Sequence, residues 1–399
     1  MRFNSVVRGL LVLCTGACSS THEPDSGPNG SGGEPEQAGG AAGQGGMGGG
    51  PAGGMGESQG GGSAGGGRGT MTSMMPPKPV DAGSEPTADA KPSIGDGAVT
   101  CPAGPPFQDN LPALAPECVR RVLVVTGNAR RRIASFDQGV TWVNGIEAPA
   151  GGNEDENSLN SVAFGLGWVV AVGTGGVLRS SDAKTWTQVP GLPTRAGSVA
   201  FGNGRFVIVS SDAAYWSTDG TKWTKQSLPS WSGHLHGVAF GNDRIVAMGD
   251  NAATISSADG AVSWMVSKLG DYPGYLGGVA FGNGVFVAVG IAPGGLRGVS
   301  NNGLQWSSVK TGTYDFAAIT FDGQKFVGVG RAPASTVDGV TWTALQTNRA
   351  VDDVVFAGGQ YIGPTGQEVY KSKDARTWTQ AYKGGTYSLR AVASGYLTR

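Results

Sequence analysis

The chain has 399 residues, a formal net charge of −1 and only three histidines. A charge balance this close to zero argues against a nucleic-acid partner, because binding to phosphates draws on an excess of Lys and Arg. The first hundred residues are of low complexity, with a dense run of glycines. The roughly 280 residues that remain are enough for one domain with a large core, so a second domain is not needed.

Residues 1–17 predict a secretory signal peptide. Arg2 and Arg8 precede the apolar run Gly9–Leu13, which is too short to span a membrane. Thr15-Gly-Ala17 followed by Cys18 resembles a bacterial lipoprotein processing site. The resemblance implies lipidation of Cys18 and anchoring at the outer membrane of a Gram-negative bacterium, with the lipid as the only membrane contact. Ordinary cleavage and free secretion is the alternative.

Residues 18–100 predict a disordered tether. Gly39–Gly69 is almost entirely small or polar apart from its methionines, and Met75–Val99 is rich in Pro, Ala and Asp. Neither stretch can bury a core. A flexible chain of about 80 residues has an average reach on the order of 50 Å. The tether would therefore hold a folded domain clear of the membrane.

Residues 101–118 are predicted to form a lead-in closed by a disulfide. Once Cys14 and Cys18 are assigned to the signal peptide and its end, Cys101 and Cys118 remain. Two cysteines in an exported chain most simply form one disulfide. A cysteine-based metal site is the alternative, and the chain offers few further ligands for it.

One phrase recurs seven times between residues 119 and 399: Ser or Thr, any residue, Asp or Asn, an intermittent Gly, and a Trp. Its tryptophans are 36 to 44 residues apart, a period typical of four-stranded propeller blades. The Asp or Asn can accept backbone N–H bonds in a tight turn, and the Trp offers a large apolar face to the neighbouring blade. The Asp and Asn members are Asp137, Asp182, Asp219, Asp259, Asn302, Asp338 and Asp374. The Trp members are Trp142, Trp186, Trp223, Trp264, Trp306, Trp342 and Trp378.

Apolar runs between these phrases supply the inner strands. Val199-Ala-Phe201 precedes a Gly-containing turn and Phe206–Val209 follows it, a pattern that suits sheets covered on both faces. The first copy opens on a second-strand sequence, Val122–Val125, and the chain ends on a first-strand sequence, Leu389–Gly395. The sequence therefore predicts an all-β fold, a single seven-bladed β-propeller at residues 119–399 whose first blade is closed by the N- and C-terminal strands.

The Ser-x-Asp-x-Gly-x-x-Trp phrase resembles the Asp-box, or bacterial neuraminidase repeat (BNR). That repeat occurs in sialidases, xyloglucanase-type glycosidases, sortilin-type receptors and photosystem II assembly-factor-like propellers. The resemblance covers residues 119–399. It implies that the box residues are structural and lie on the turn between the third and fourth strands, far from the central site. The Arg-Ile-Pro phrase of sialidases is absent, because Ala134 follows Arg132 and Ile133.

Candidate ligand-binding residues lie on the loops that join the outer strand of one predicted blade to the inner strand of the next. Aromatic rings there can stack on flat apolar faces while Arg, Asp and His orient polar groups, which suits a sugar or a peptide. The alternative is a set of ordinary loop residues without a shared ligand. The candidates are Trp231, His234, His236, Asp271, Tyr272, Tyr275, Tyr314, Asp315, Arg349, Asp352, Tyr387 and Arg390.

The sequence predicts no cofactor, no metal site and no assigned catalytic residue. His234 and His236 would need a neighbouring carboxylate to bind a metal, and Glu154-Asp-Glu156 lacks the alternate spacing of a calcium loop.

We therefore expect a monomeric cell-surface protein that binds or scaffolds a carbohydrate or protein ligand. One alternative is a glycan-active hydrolase or lyase that uses Asp271, Asp315 and Asp352. The other is an assembly factor for an envelope complex, which would bind a protein and no sugar.

Overall fold

The computed structural model describes residues 107–108, 111–112, 118–146, 157–230, 233–270, 274–291, 295–308 and 315–398. These residues form seven four-stranded antiparallel sheets, arranged as blades in a ring, and one two-stranded pair. The predicted seven-bladed, all-β propeller is confirmed. The predicted signal peptide, the tether and Cys101 lie outside the described residues.

The two-stranded pair, which precedes the blades in the chain, is β1 (Phe107–Gln108) and β2 (Leu111–Pro112).

Each blade has its first strand innermost and its fourth strand outermost. Blade 1 contains β30 (Leu389–Thr398), β3 (Val119–Gly127), β4 (Arg132–Ser135) and β5 (Val143–Ile146). Blade 2 contains β6 (Ser161–Gly165), β7 (Trp168–Gly173), β8 (Gly176–Ser180) and β9 (Thr187–Gln188). Blade 3 contains β10 (Ser198–Gly202), β11 (Arg205–Val209), β12 (Ala213–Ser217) and β13 (Thr224–Ser227). Blade 4 contains β14 (Leu235–Gly241), β15 (Arg244–Gly249), β16 (Ala253–Ser257) and β17 (Met265–Lys268). Blade 5 contains β18 (Tyr275–Gly282), β19 (Val285–Ile291), β20 (Leu296–Ser300) and β21 (Ser307–Ser308). Blade 6 contains β22 (Phe316–Phe321), β23 (Phe326–Gly330), β24 (Ala334–Thr336) and β25 (Thr343–Ala344). Blade 7 contains β26 (Val355–Ala357), β27 (Gln360–Thr365), β28 (Glu368–Ser372) and β29 (Thr379–Lys383).

The ring closes through the two ends of the propeller sequence. β30 runs antiparallel to β3, with Val119 opposite Thr398 at one end of the pair and Gly127 opposite Leu389 at the other. The last strand is thus the innermost strand of the first blade, as the sequence predicts. This pairing removes the open sheet edge that an unclosed ring would leave.

The core lies between the blades, and each second strand contributes to it on both faces. In β11, Phe206 and Ile208 pack with residues of blade 2, while Val207 and Val209 pack with residues of blade 4. All four are fully buried. Side chains alternate between the two faces of a strand, so a continuous apolar run fills both interblade spaces. Full burial of such a side chain contributes about 1.5–3 kcal/mol.

A second repeated contact joins the first strands of neighbouring blades. A glycine in the second half of one first strand lies directly against a phenylalanine ring of the next blade. A Cβ atom added at Gly165 would lie 2.2 Å from Cδ2 of Phe201. These positions have to be glycine because the ring occupies the space of a side chain. The described pairs are Gly395 with Phe164, Gly165 with Phe201, Gly202 with Phe240, Gly241 with Phe281, and Gly282 with Phe321.

Blade 6 departs from this pattern because Asp322 follows its phenylalanine. The Asp322 carboxylate accepts a hydrogen bond from the hydroxyl of Tyr361, which is buried in blade 7. It also pairs with Lys325 at 3.2 Å. Burial of the Tyr361 hydroxyl and its bond to Asp322 both raise its pKa. A polar contact thus links blades 6 and 7, whereas a glycine and a ring link five other pairs of neighbouring blades.

The repeated Ser/Thr-x-Asp phrase forms a turn between the third and fourth strands of every blade. The hydroxyl donates to the Asp or Asn two residues later, over 2.7 to 3.2 Å. In blade 3, Asp219 also accepts the backbone N–H groups of Thr221 and Lys222, both at 2.7 Å. Burial acts to raise the pKa of Asp219, but these N–H bonds outweigh it and lower the pKa to about 2.

Antiparallel order sorts the connections between strands onto two ends of the ring. The loop end carries the connections from each fourth strand to the next blade and those between second and third strands. The turn end carries the Ser/Thr-x-Asp turns and the turns between first and second strands. Those binding candidates that lie among the described residues belong to the loop end, and the repeated Asp residues belong to the turn end.

Candidate functional site

Two histidines of blade 4 share one carboxylate at the loop end. Asp250 lies between β15 and β16. Its Oδ1 atom is 2.7 Å from Nε2 of His236, and its Oδ2 atom is 3.3 Å from Nδ1 of His234. The Tyr275 ring of blade 5 stands edge-on to His236, with ring centroids 5.4 Å apart. We call His234, His236, Asp250 and Tyr275 the histidine cluster.

Local backbone features place these groups. The register of β14 against β15 shifts between Leu235 and Gly237, so His236 occupies a β-bulge, a feature that redirects a side chain. A Cβ atom at Gly249 would lie 1.8 Å from the carbonyl oxygen of His234. Glycine at that position therefore lets the end of β15 approach the histidine segment, and Asp250 follows directly.

The Asp250 carboxylate is held as an anion by its neighbours. Burial acts to raise its pKa, but the hydrogen bonds from His236 and from the backbone and ring of His234 outweigh that effect and leave the pKa below its ordinary value. The backbone N–H of His234 lies 2.9 Å from Oδ2. The Asp250 side chain is 32% exposed and that of His234 is 73% exposed, so the cluster is open to a ligand.

A second group of charges lies on the outer strands of blade 7, also at the loop end. Glu368, the first residue of β28, accepts hydrogen bonds from Arg349 at 2.7 Å and from the Tyr370 hydroxyl at 2.5 Å. Its other oxygen accepts from Gln380 at 2.8 Å and pairs with Lys383 at 3.2 Å. The Arg349 guanidinium lies 4.6 Å from the centroid of the Tyr370 ring. We call these five residues the glutamate cluster.

The hydrogen bond from the Tyr370 hydroxyl has the largest effect on Glu368 and lowers its pKa. Burial acts to raise this pKa, but the Lys383 and Arg349 cations lower it further. Tyr370 responds in the opposite direction: burial and its bond to Glu368 raise its pKa. The Glu368 carboxylate is thus ionised and fully engaged by groups of its own chain.

The loop end of blade 1 is joined to its neighbours through Asn128. Its Oδ1 atom accepts hydrogen bonds from Nε of Arg390 at 2.9 Å and from the Ser158 hydroxyl at 3.0 Å. Nearby, Asp353 of blade 7 accepts the backbone N–H of Val392 at 2.9 Å. These contacts fix the loop end across blades 7, 1 and 2.

The structure brings some of the predicted candidates together and separates others. His234, His236 and Tyr275 meet in the histidine cluster, and Arg349 belongs to the glutamate cluster on the periphery. Arg390 contacts Asn128, whereas the backbone of Asp315 bonds to Arg331 and that of Asp352 bonds to Pro364. The Tyr387 carbonyl oxygen accepts a hydrogen bond from buried Arg131. Four candidates lie outside the described residues: Trp231, Asp271, Tyr272 and Tyr314.

The acceptors Asn128, Asp250 and Glu368, at the centres of the three groups of contacts, were not among the candidates. All three lie on or directly after connections between a second and a third strand, whereas the candidates were taken from the connections between blades. A usable signal was present at Gly249-Asp250-Asn251, where a carboxylate follows a predicted apolar second strand.

Within the described parts of the chain, no three His, Cys, Asp or Glu side chains are placed to hold a metal ion. No helix among these residues is long and apolar enough to cross a membrane. Cys118 is buried at the start of β3, and its predicted disulfide with Cys101 remains a prediction.

No family model matches the chain, and no curated protein matches it in sequence. Among solved structures, it is similar to YCF48 from Cyanidioschyzon merolae, with a TM-score of 0.47 and 16% identity over 62% of this chain and 97% of that one. It is also similar to a structure described as YCF48 bound to D1 peptide, with a TM-score of 0.48 and 16% identity over 71% of this chain and 95% of that one. Similarity at this level carries no argument about the ligand of this chain.

Proposed function

We propose that this chain is a non-catalytic binding propeller that holds a segment of a protein partner at its loop end. The observation that carries the proposal is the state of the charged groups there. Asp250 and Glu368 are ionised and engaged by their own chain, yet His234 and the cations Arg349 and Lys383 around them are exposed. A rigid ring that presents fixed polar groups of both signs suits recognition of a peptide or a protein surface.

The same observation weighs against a glycosidase that uses Asp250 or Glu368 as its general acid. A glycosidase needs a general acid whose pKa is raised, paired with a second carboxylate across the bond. The pKa values of Asp250 and Glu368 are instead lowered. Hydrogen bonds from His236 and from Tyr370 favour the charged forms, so neither group is suited to donate a proton near neutral pH.

Packing of the loop-end rings favours a protein over a sugar. Sugar binding relies on an aromatic face left free for stacking. Tyr275 stands edge-on to His236, and Tyr370 lies beneath the Arg349 guanidinium. Tyr382 packs at a tilt against Trp142, with centroids 6.2 Å apart. These rings are engaged within the protein and serve better as rigid walls for side chains.

The setting of this function is also part of the proposal. Cys18 would carry a lipid at the outer membrane, and residues 19–100 would form the tether that presents a monomeric propeller to its partner. A Cys101–Cys118 disulfide would fix the start of β3. The repeated turn supports placing the propeller with the Asp-box group, since its hydroxyl-to-carboxylate geometry recurs in all seven blades.

Site-specific photo-crosslinking in cells tests the proposal with the full chain. A benzophenone side chain is introduced at Arg331, exposed on the loop end, or at Lys222, exposed on the turn end, as the matched control. We expect a discrete protein adduct from position 331 that is absent from position 222 and that re-forms with the two purified proteins.

A glycan array and an assay for released reducing sugar serve as parallel readouts. Sugar binding without a protein adduct would overturn the protein-binding assignment in favour of a lectin-like role. Release of reducing sugar would overturn the non-catalytic assignment and direct attention to Asp271, Asp315 and Asp352.

A further inference from the structure

We infer that the histidine cluster is an acid-strengthened binding site for an anionic group, namely a carboxylate on an acidic segment of the partner. This inference rests on the proposed function for the identity of the partner as a protein. It is carried by the arrangement of two imidazoles on one carboxylate at an exposed position.

The orientation of the two rings decides which atoms of the cluster a ligand meets. The two oxygens of Asp250 already face three donor groups of the chain: the backbone N–H of His234 and the rings of His234 and His236. Donors of the chain itself therefore contact both oxygens of the carboxylate. The His234 ring contacts it through Nδ1, so Nε2 of this exposed side chain lies on the far side of the ring. An approaching ligand meets imidazole rather than carboxylate oxygens.

The net charge of the cluster depends on how many of its two rings carry a second proton. With both rings neutral, Asp250 gives a charge of −1; with both protonated, the sum of −1 and +2 is +1. The ordinary pKa of histidine is about 6.5, and Asp250 stays ionised because its hydrogen bonds lower its pKa. The protonated His234 ring also gains an N–H donor at Nε2. Mild acid therefore converts the cluster from repelling an anion to attracting and hydrogen-bonding one.

The rings are in contact with groups of two other parts of the chain. Among the described residues, the titratable groups that face the rings include Asp250, from the connection between β15 and β16, and Tyr275, from β18. Asp271, in the connection that leads to β18, lies outside the described residues. The His234 side chain is 73% exposed and that of His236 is 33% exposed. Solvent and a ligand can therefore reach both rings.

Blade 4 is distinctive at this position. The same register shift occurs at the start of β18, β22 and β30, where the shifted residues are Gly277, Ala317 and Arg390. The side chains of Gly277 and Ala317 can neither titrate nor donate a hydrogen bond, and Arg390 donates to Asn128. Among the blades that share this bulge in the described structure, blade 4 alone places a histidine there, which marks a site on one side of the ring.

The test uses the three histidines of the chain, His22, His234 and His236, as reporters. The ring resonances of the full chain are followed by NMR across pH, with and without a tetra-aspartate peptide as the probe. Inorganic sulfate is a second probe, and a tetralysine peptide is the control of opposite charge. A His22→Ala variant identifies the signal of the N-terminal histidine and leaves the two cluster signals.

We expect tetra-aspartate to shift the His234 and His236 resonances and to bind more tightly at about pH 5.5 than at about pH 7.5. If binding takes up one proton, the affinity for tetra-aspartate rises by up to about tenfold for each unit by which the pH falls. Sulfate acting like the peptide would show that charge alone is recognised, which also supports an anion site. The double variant His234→Gln/His236→Gln should bind tetra-aspartate without pH dependence, and tetralysine should show no acid-strengthened binding.

Binding of tetra-aspartate that does not vary with pH, or histidine resonances that ignore the peptide, would overturn the inference. The wild-type spectra give this answer even if the double variant does not fold. Failure of the proposed function is seen separately. A crosslinked partner with pH-independent peptide binding would retain the function and reject the acid-strengthened site. An acid-strengthened anion site without a crosslinked partner would retain the site and reject the proposed function.

Discussion

A single methyl group at Gly165 should destabilise the propeller measurably. The Cβ atom of Gly165→Ala would lie 2.2 Å, 2.3 Å and 2.6 Å from Cδ2, Cγ and Cε2 of Phe201. Ordinary carbon contacts are about 3.5–4.0 Å, so the ring must move by roughly 1 Å or more. It cannot move freely, because its centroid is 4.9 Å from that of Phe206, which is fully buried.

Overpacking of this kind costs about 1–3 kcal/mol. For a domain of this size, each kcal/mol lowers Tm by about 2–4 °C. Thermal and denaturant unfolding of the full chain measure the change. The matched control is Gly145→Ala in the outer strand of blade 1, where an added Cβ meets nothing within 4 Å. That variant should be neutral or slightly stabilising, because alanine restricts the unfolded chain.

The double variant Gly165→Ala/Phe201→Leu should recover part of the loss, since leucine vacates much of the ring volume. A double-mutant cycle then gives the coupling between the two positions. If Gly165→Ala lies within about 0.5 kcal/mol of the wild type, or if the two substitutions are simply additive, the proposed ring-on-glycine contact does not hold the blades together.

Two further predictions concern carboxylates at the turn end. Four turn carboxylates have pKa values of about 2, below the ordinary value of 3.8. A pKa that is lower in the folded state stabilises the fold above about pH 4, and this contribution is lost as pH falls through about 2. The four are Asp182, Asp219, Asp259 and Asp374. Tm measured against pH should therefore fall between about pH 4 and about pH 2. Compared with the wild type, the fall in Tm should be smaller in Asp219→Asn and larger in Asn302→Asp. Equal pH profiles for the wild type and both variants would show that the turn carboxylates do not cause the fall. Separately, Tyr361→Phe removes the buried hydroxyl that donates to Asp322 and should cost about 1.5–3 kcal/mol in denaturant unfolding. An unchanged midpoint would show that this bond contributes nothing to the junction of blades 6 and 7.

Repetition made the architecture readable from one sequence. Seven copies of one phrase predict the same strands and turns, so the structure of an ambiguous copy can be inferred from the other six. The unequal ends of the sequence, a second-strand run at Val122–Val125 and a first-strand run at Leu389–Gly395, were enough to predict closure through β3 and β30. Register and turn type follow from residues close together in the chain, and local sequence encodes them.

The contacts that define the candidate site could not be predicted in the same way. Asp250 is 16 residues from His234, and their meeting depends on a bulge and on the close approach allowed by Gly249. Glu368 gathers donors from Arg349, Tyr370, Gln380 and Lys383, which lie on different strands and a connecting loop. The convergence of such groups depends on how neighbouring strands stagger, which no single stretch of sequence records.

The sequence by itself therefore determined the blade count, the strand order and the way the ring closes, because hydrophobic alternation and turn residues act over a few neighbouring positions. Only the tertiary structure decided which loop-end side chains meet. It also showed why Gly165 cannot be replaced by a larger residue without strain. The ring of Phe201 from the next blade fills the space that a side chain would need there. Contacts of this kind join residues far apart in the chain, and their energies depend on three-dimensional packing that the repeat pattern does not specify.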